Sequence, residues 1–380
     1  MIDRRTLLAG IVASGASSAA AQVVPAAEGP ARDMLIVNAL GGFSDPNGPR
    51  GKGAVPVEDR ALLSERVIDD ARASDMGAIN ITLGHVAGEG DPFAKTVRDI
   101  GIWDRRIRGR SDALAKIYTA ADMARVRASG RIGVIYGFQN TTMLGSDAAR
   151  VDTFADLGVR VIQLTYNPAN AVGSGSMAPE NGGITPFGRE VIARLNANRV
   201  MVDLSHSGER TCLEAARLSA QPISINHTGC RALTDMPRNK TNEELRLVAS
   251  KGGFVGIYFM PFLNPSSVAS AADVVAHIEH AVKICGEDHV GIGTDGGTTG
   301  VDDMAAYRAA IRQEIAERKA AGISARGENP DTLPFVEDLS GPTQFQRLIA
   351  LLEQRGHKAA RIEKIMGGNF LRYARDVWGA

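Results

Sequence analysis

The sequence predicts an α/β protein built as a single (β/α)8 TIM barrel with extra helices after the last strand. Three observations predict it. Eight short, continuously apolar runs recur along the chain, and most gaps between them carry apolar residues at spacings of three and four. The runs are apolar throughout rather than alternating, as strands covered on both faces of a parallel sheet must be. No Gly-x-Gly-x-x-Gly follows the first run and no phosphate loop occurs, which counts against a doubly wound sheet, the main alternative.

Residues 1–21 read as an export signal. Arg4 and Arg5 lead a mildly apolar stretch that closes with Ala19-Ala20-Ala21 before Gln22. The arginine pair points to twin-arginine export, hence to a periplasmic or secreted bacterial protein. The stretch is too short and too weakly apolar for a spanning helix, so no membrane span is expected in the mature chain. Residues 22–380 then read as one barrel domain, without internal repeat or dividing linker.

After a Pro/Gly/Ala-rich leader at 22–31, the strand-like runs fall at 34–40, 76–83, 131–138, 159–166, 199–206, 221–227, 252–259 and 289–295. Helical periodicity covers 111–128, 149–156, 187–196, 208–218, 241–249 and 270–284. Gly/Pro/Asn/Ser-rich segments at 43–53, 167–183 and 262–270 read as loops. Each follows a strand, so each belongs to the face where barrel enzymes carry their chemistry. Residues 300–335 gain charge and lose strand character, reading as an inserted helix plus an irregular loop. Residues 343–378 read as two helices joined at Arg355-Gly356-His357.

Lysine plus arginine equals aspartate plus glutamate at 43 each, so the basic surplus of a nucleic-acid binder is absent. The three cysteines, Cys212, Cys230 and Cys285, are an odd number, leaving at least one thiol unpaired in an oxidising compartment. No Cys-x-x-Cys occurs, so buried free thiols are expected rather than a sulfur-bound zinc.

Three of the apolar runs end in reactive groups: VMVDLSH in His206, PISINH in His227 and GIGTD in Asp295. In a parallel barrel the ends of all strands share one rim, so these side chains converge. Neutral imidazoles hold zinc, and a carboxylate beside a bound water can take its proton. Asp203 lies three residues before His206, and strand alternation turns it away, towards a structural role. His85, ending the second run, reads as a loop histidine. No His-x-His or His-x-Asp pair occurs anywhere, so any metal centre here is short of ligands.

The run GGITPFGREVIARLNANRVMVDLSH (182–206) resembles the renal (membrane) dipeptidase family, the M19 metallopeptidases. So do PISINHTGCRAL with the following PRN, GIGTDGG, VEDLSG and IEKIMGGNFLR, which together cover nearly the whole mature chain. The resemblance implies a barrel of the metal-dependent hydrolase type, often dimeric, that cleaves dipeptides at two zinc ions. It makes His206 and His227 ligands of the second zinc, Asp295 the handler of the attacking water's proton, and Arg238 the grip on the substrate carboxylate. A guanidinium fork suits that last role.

Half of the family's pattern is absent. Where the family has Asp-x-His-x-Asp, this chain has Asn38-Ala39-Leu40-Gly41-Gly42. The bridging glutamate and its neighbour are Gln139 and Asn140, and the substrate-side histidine is Tyr166. Two cations side by side need anionic ligands, and a neutral amide cannot bridge them as a carboxylate does. A binuclear site is therefore not expected: at most one zinc on His206 and His227, possibly with Asp295, as a weak site, or none. Gln139, Asn140, Tyr166 and Arg238 are expected to line a pocket for a small peptide or amino-acid-like carboxylate.

Three readings remain open: hydrolysis of small carboxylated peptides or amides at a single metal with Asp295 as base; a noncatalytic binding homologue; and metal-free acid–base chemistry by His206, His227 and Asp295 with Tyr166 as donor.

Overall fold

A computed structural model describes residues 34–48, 62–86, 90–320 and 326–379. The expected export signal lies outside these residues, as does the end of the 43–53 loop.

In chain order the elements are β1 (Ile36–Gly41), α1 (Glu65–Ala73), β2 (Met76–Leu83), α2 (Pro92–Gly109), β3 (Leu114–Lys116), α3 (Ala120–Ala128), β4 (Ile132–Phe138), α4 (Arg150–Asp156) and β5 (Val159–Gln163). Then come α5 (Pro186–Ala197), β6 (Met201–Asp203), α6 (Glu209–Leu218), β7 (Ser224–Thr228), α7 (Asn242–Ser250), β8 (Phe254–Ile257), α8 (Ala271–Cys285) and β9 (Val290–Ile292). The chain continues through α9 (Met304–Ala320), α10 (Gln344–Gln354), α11 (Ala359–Glu363) and α12 (Asn369–Trp378).

All pairings between these strands are parallel, in the order β1-β2-β4-β5-β6-β7-β8-β9. The ring closes where β1 meets the segment after β9. Gly42 N donates to Gly296 O at 3.1 Å, and Asp295 N donates to Leu40 O at 2.9 Å. Each of the eight apolar runs supplies one strand of this barrel.

One expectation is corrected. Residues 111–128 are not one helix, because β3 occupies Leu114–Lys116 ahead of α3. The start of β4, Ile132–Val134, pairs with β3, whereas Tyr136–Phe138 pairs with β5. β5 starts too late to reach the lower half of β4, and the exposed backbone there needs a partner. Helical spacing alone could not reveal that demand. Helices α1 and α2 lie outside the segments with helical periodicity. Their start signals are plain in retrospect: Ser64 and Asp91 cap their first turns, and Pro92 follows Asp91.

Strand residues alternate between two packing layers. Outward ones, such as Ile79, Val134, Ile162, Val202, Ile225 and Val255, pack with the surrounding helices. Inward ones, Val37, Ile135, Val161, Met201 and Phe254, meet Phe370, Tyr373 and Val377 of α12. Helix α12 crosses the end of the barrel where the strands begin. Its side chains satisfy carbonyls there: Arg372 donates to Gly252 and Gly253, Asn369 to Val290, and Trp378 to Arg160. The C-terminal region is therefore a plug for one end of the barrel, and the other end is left for chemistry. The expected second C-terminal helix is divided, since a π-helical turn at Lys364–Gly368 joins α11 to α12.

Candidate functional site at the barrel mouth

His206, His227 and Asp295 meet at the C-terminal rim, following β6, ending β7 and following β9. His206 Nε2 and His227 Nε2 are 3.1 Å apart. His227 Nε2 lies 4.0 Å from Asp295 Oδ2. Both imidazoles are buried.

Their tautomers follow from their partners. Asn167 Oδ1, an acceptor, lies 2.6 Å from His206 Nδ1, so that nitrogen carries the proton. His206 Nε2 is then a lone pair, and His227 Nε2 donates to it. This leaves His227 Nδ1 as a buried acceptor without a partner. Tyr166 covers His206 with stacked rings, centroids 4.2 Å apart. Burial, reinforced by the positive charge of Arg238, holds both histidines well below the ordinary imidazole pKa, so both are neutral at pH 7.

Asp295 is pushed the other way. Burial raises its carboxyl to about 6, Arg238 opposes that rise, and Asp203 adds to it. Its backbone sits at φ 60°, in the left-handed region that Asp and Asn tolerate better than most residues. The bond from its own N–H to Leu40 O holds it there.

Asp203 is a joint between strands. It accepts hydrogen bonds from Ser205 N and from Asn226 N on β7, both at 3.0 Å. Arg238 lies in the loop after β7, buried, with Nη1 donating to Ser205 O and Nη2 buried without a partner. Gln139 donates from Nε2 to Thr82 Oγ1 at 2.9 Å, and its amide acts weakly on Asp295, lowering the pKa of that carboxyl. Asn140 stands apart from this group. Its amide donates to His85 O and Val86 O and accepts from Thr142 N, which anchors the loops after β2 and β4.

Asn167 and Lys240 were missed in the sequence. Asn167 follows Tyr166 directly in a segment read only as a loop. Lys240 is buried, donating to Ser207 O and pairing with Glu244 at 3.2 Å, and so clamps the turn that carries His206. A buried lysine one turn before a glutamate carries no signal that separates it from a surface pair.

The donor set does not fit two metal ions. Leu40 and Gly42 offer no donor side chains, and the amide of Asn38 is engaged with Thr294 in both directions, at 2.9 and 2.8 Å. Among the described residues no group of three or more His, Cys, Asp or Glu side chains could hold a metal ion. For one ion, two imidazole nitrogens are close to the separation they would need, about 3.3 Å across a tetrahedral zinc.

A closed parallel barrel with imidazoles and a carboxylate on its mouth defines the amidohydrolase-like class. Comparison with known proteins agrees. A family model, membrane dipeptidase (peptidase family M19), matches residues 74–324. The dipeptidase tcpJ of Claviceps purpurea is 27% identical over 286 residues, covering 74% of this chain and 60% of that protein. An uncharacterised Klebsiella pneumoniae protein encoded in a pqqA 5′ region is 27% identical over 300 residues, covering 76% of this chain and 98% of its own length. The crystal structure of an amidohydrolase from Pseudomonas aeruginosa superposes with a TM-score of 0.76 at 29% identity, covering 92% and 98% of the two chains. The chain belongs to the membrane dipeptidase family, peptidase family M19. It spans only about 60% of the length of the fungal dipeptidase it matches. Among the described residues no helix is long and apolar enough to cross a membrane.

Proposed function

We propose that the barrel mouth binds a small carboxylated peptide or amide through Arg238. The buried, unpartnered Nη2 of Arg238 carries this reading. Burying a guanidinium nitrogen without a partner is costly, and a carboxylate supplies two acceptors in the matching fork geometry. With both imidazoles neutral and the Asp295 carboxyl raised to about 6, little negative charge faces the Arg238 guanidinium near pH 6. Tyr166, stacked on His206, forms an apolar wall beside it. The N-terminal arginine pair supports a periplasmic or secreted setting for this binding.

A second reading, hydrolysis with Asp295 as base, is favoured by the 3.1 Å approach of the two Nε2 atoms. His206 and His227 would hold a single zinc, and a bound zinc lowers the pKa of its water to near neutrality. The chain's own contribution is then Arg238 orienting the carboxylate and Asp295 taking a proton at its Oδ2.

The test is calorimetric titration of N-acyl alanines and dipeptides into the full chain, with and without zinc, alongside an amine-release assay. Metal-independent binding, weakened at least tenfold by Arg238→Met and without turnover, supports the binding reading. Zinc-dependent turnover lost in His206→Ala establishes hydrolysis instead.

A further inference from the structure

We propose that the cavity between the ends of β1 and β2 and helix α2 takes an apolar group on the acyl side of the ligand's amide. The proposal rests on the assignment of Arg238 to the ligand's carboxylate. The ligand is then an N-acyl amino acid with several carbons in its acyl chain.

The cavity has a volume of about 720 Å³. That lies within the range of small-molecule sites, roughly 300–1,000 Å³. Gly41 and Gly42, at the end of β1, bring no side chains to this part of the rim. A Cβ added at Gly42 would meet no atom within 4 Å, so the space beside it is open. Phe43, Ile81, Val86, Ile102 and Trp103 supply an apolar wall, with the ring centroids of Phe43 and Trp103 5.9 Å apart. The charged groups that α2 brings to the cavity are engaged within the protein. Lys95, Arg98, Asp99 and Arg106 each interact with other groups of the chain. Asp99 accepts from Gly84 N at 2.8 Å, and the guanidinium of Arg106 lies 4.9 Å over the ring of Trp103. Thr82 Oγ1 accepts from Gln139. Burial first and Lys95 second hold His85 below the ordinary imidazole pKa, so it is uncharged at pH 7. What α2 leaves for a ligand is apolar surface, to which the methylene stems of lysine and arginine side chains also contribute.

Asp295 joins the cavity to the histidines. It lines the cavity, stands 4.0 Å from His227, and feels the charge of Arg238. A ligand held by its carboxylate at Arg238 therefore passes Asp295 with its amide and reaches the cavity with its acyl chain. Each methylene buried there should tighten binding about fourfold.

The experiment is calorimetry of N-acetyl-, N-butanoyl- and N-hexanoyl-alanine on the full chain, without added metal. The wild type should bind the hexanoyl compound at least tenfold more tightly than the acetyl compound, with the butanoyl compound between them. Two variants locate the effect. Gly42→Leu fills the open space at the rim, and Val86→Asp puts a charge on the apolar wall at a half-buried position. The hexanoyl-to-acetyl ratio should fall to within threefold in each variant that keeps a cooperative urea transition. Equal affinities across the series in the wild type, all weakened by Arg238→Met, overturn the apolar subsite and spare the first reading. A tenfold ratio that survives in a folded variant overturns the assignment to this cavity. Binding of none of the three, or binding indifferent to Arg238→Met, overturns the first reading and this one together.

Discussion

Replacing Asp295 by Asn should stabilise the protein at neutral pH and do nothing for it in acid. The native carboxyl titrates near 6, against 3.8 for an ordinary aspartate. The folded state therefore holds this proton more tightly than the unfolded chain does. Stability from this source is fully present below about pH 4 and is lost as pH rises through 6, after which the cost is constant. At about 1.36 kcal/mol per pH unit, the interval corresponds to at most about 3 kcal/mol. The side chain is 27% exposed, so solvent screens part of the burial that drives the shift, and an effect of about 1–2 kcal/mol is expected. Asparagine is well matched as a probe, because it also accepts the left-handed backbone at this position. The assay is urea unfolding of both proteins from pH 4 to 8 in the presence of a chelator. The Asn variant should gain on the wild type steadily between pH 4 and 7. A stability difference independent of pH, or one that grows towards acid, would refute the argument that burial dominates over Arg238 at this carboxyl.

Two further outcomes follow from buried groups. Glu244→Ala strips the partner from Lys240, whose side chain is 2% exposed, and removes the capping box of α7. It should cost about 3–5 kcal/mol in denaturant unfolding, and Lys240→Met/Glu244→Leu should cost less than the single change because no charge is then stranded. All three cysteines are free thiols, with Cys212 and Cys230 buried and burial pushing Cys285 up to about 12. A thiol reagent at pH 8 should leave Cys212 and Cys230 unmodified in the native protein and label all three in guanidinium.

The barrel was legible because its strands are covered on both faces and its helices on one. Each run therefore shows its burial in its own residues, as at Val200–Leu204 or Ile223–Ile225. Strand β3 was not legible, because its reason lies in β4, whose lower edge β5 fails to reach. The rim residues His206, His227 and Asp295 were readable for the same reason as the strands, since each directly follows or ends an apolar run. Arg238 and Tyr166 came from the family resemblance, and Gln139 and Asn140 were named together on the same ground. The structure separates that last pair: Gln139 lowers the pKa of the Asp295 carboxyl and Asn140 turns back to the loops after β2 and β4.

By itself, the order of residues determined the fold class and the neutral groups standing where a two-ion centre would need charge. Both are local facts, since apolar periodicity and side-chain chemistry travel with the chain. Only the tertiary structure decided which nitrogen of each histidine carries a proton, because that depends on Asn167 at one ring and on the neighbouring imidazole at the other. Only it brought Lys95, Arg98 and Arg106 of α2 to the wall beside Asp295. Charge acts through space, and nearly two hundred positions of chain separate those side chains from the carboxylate they face.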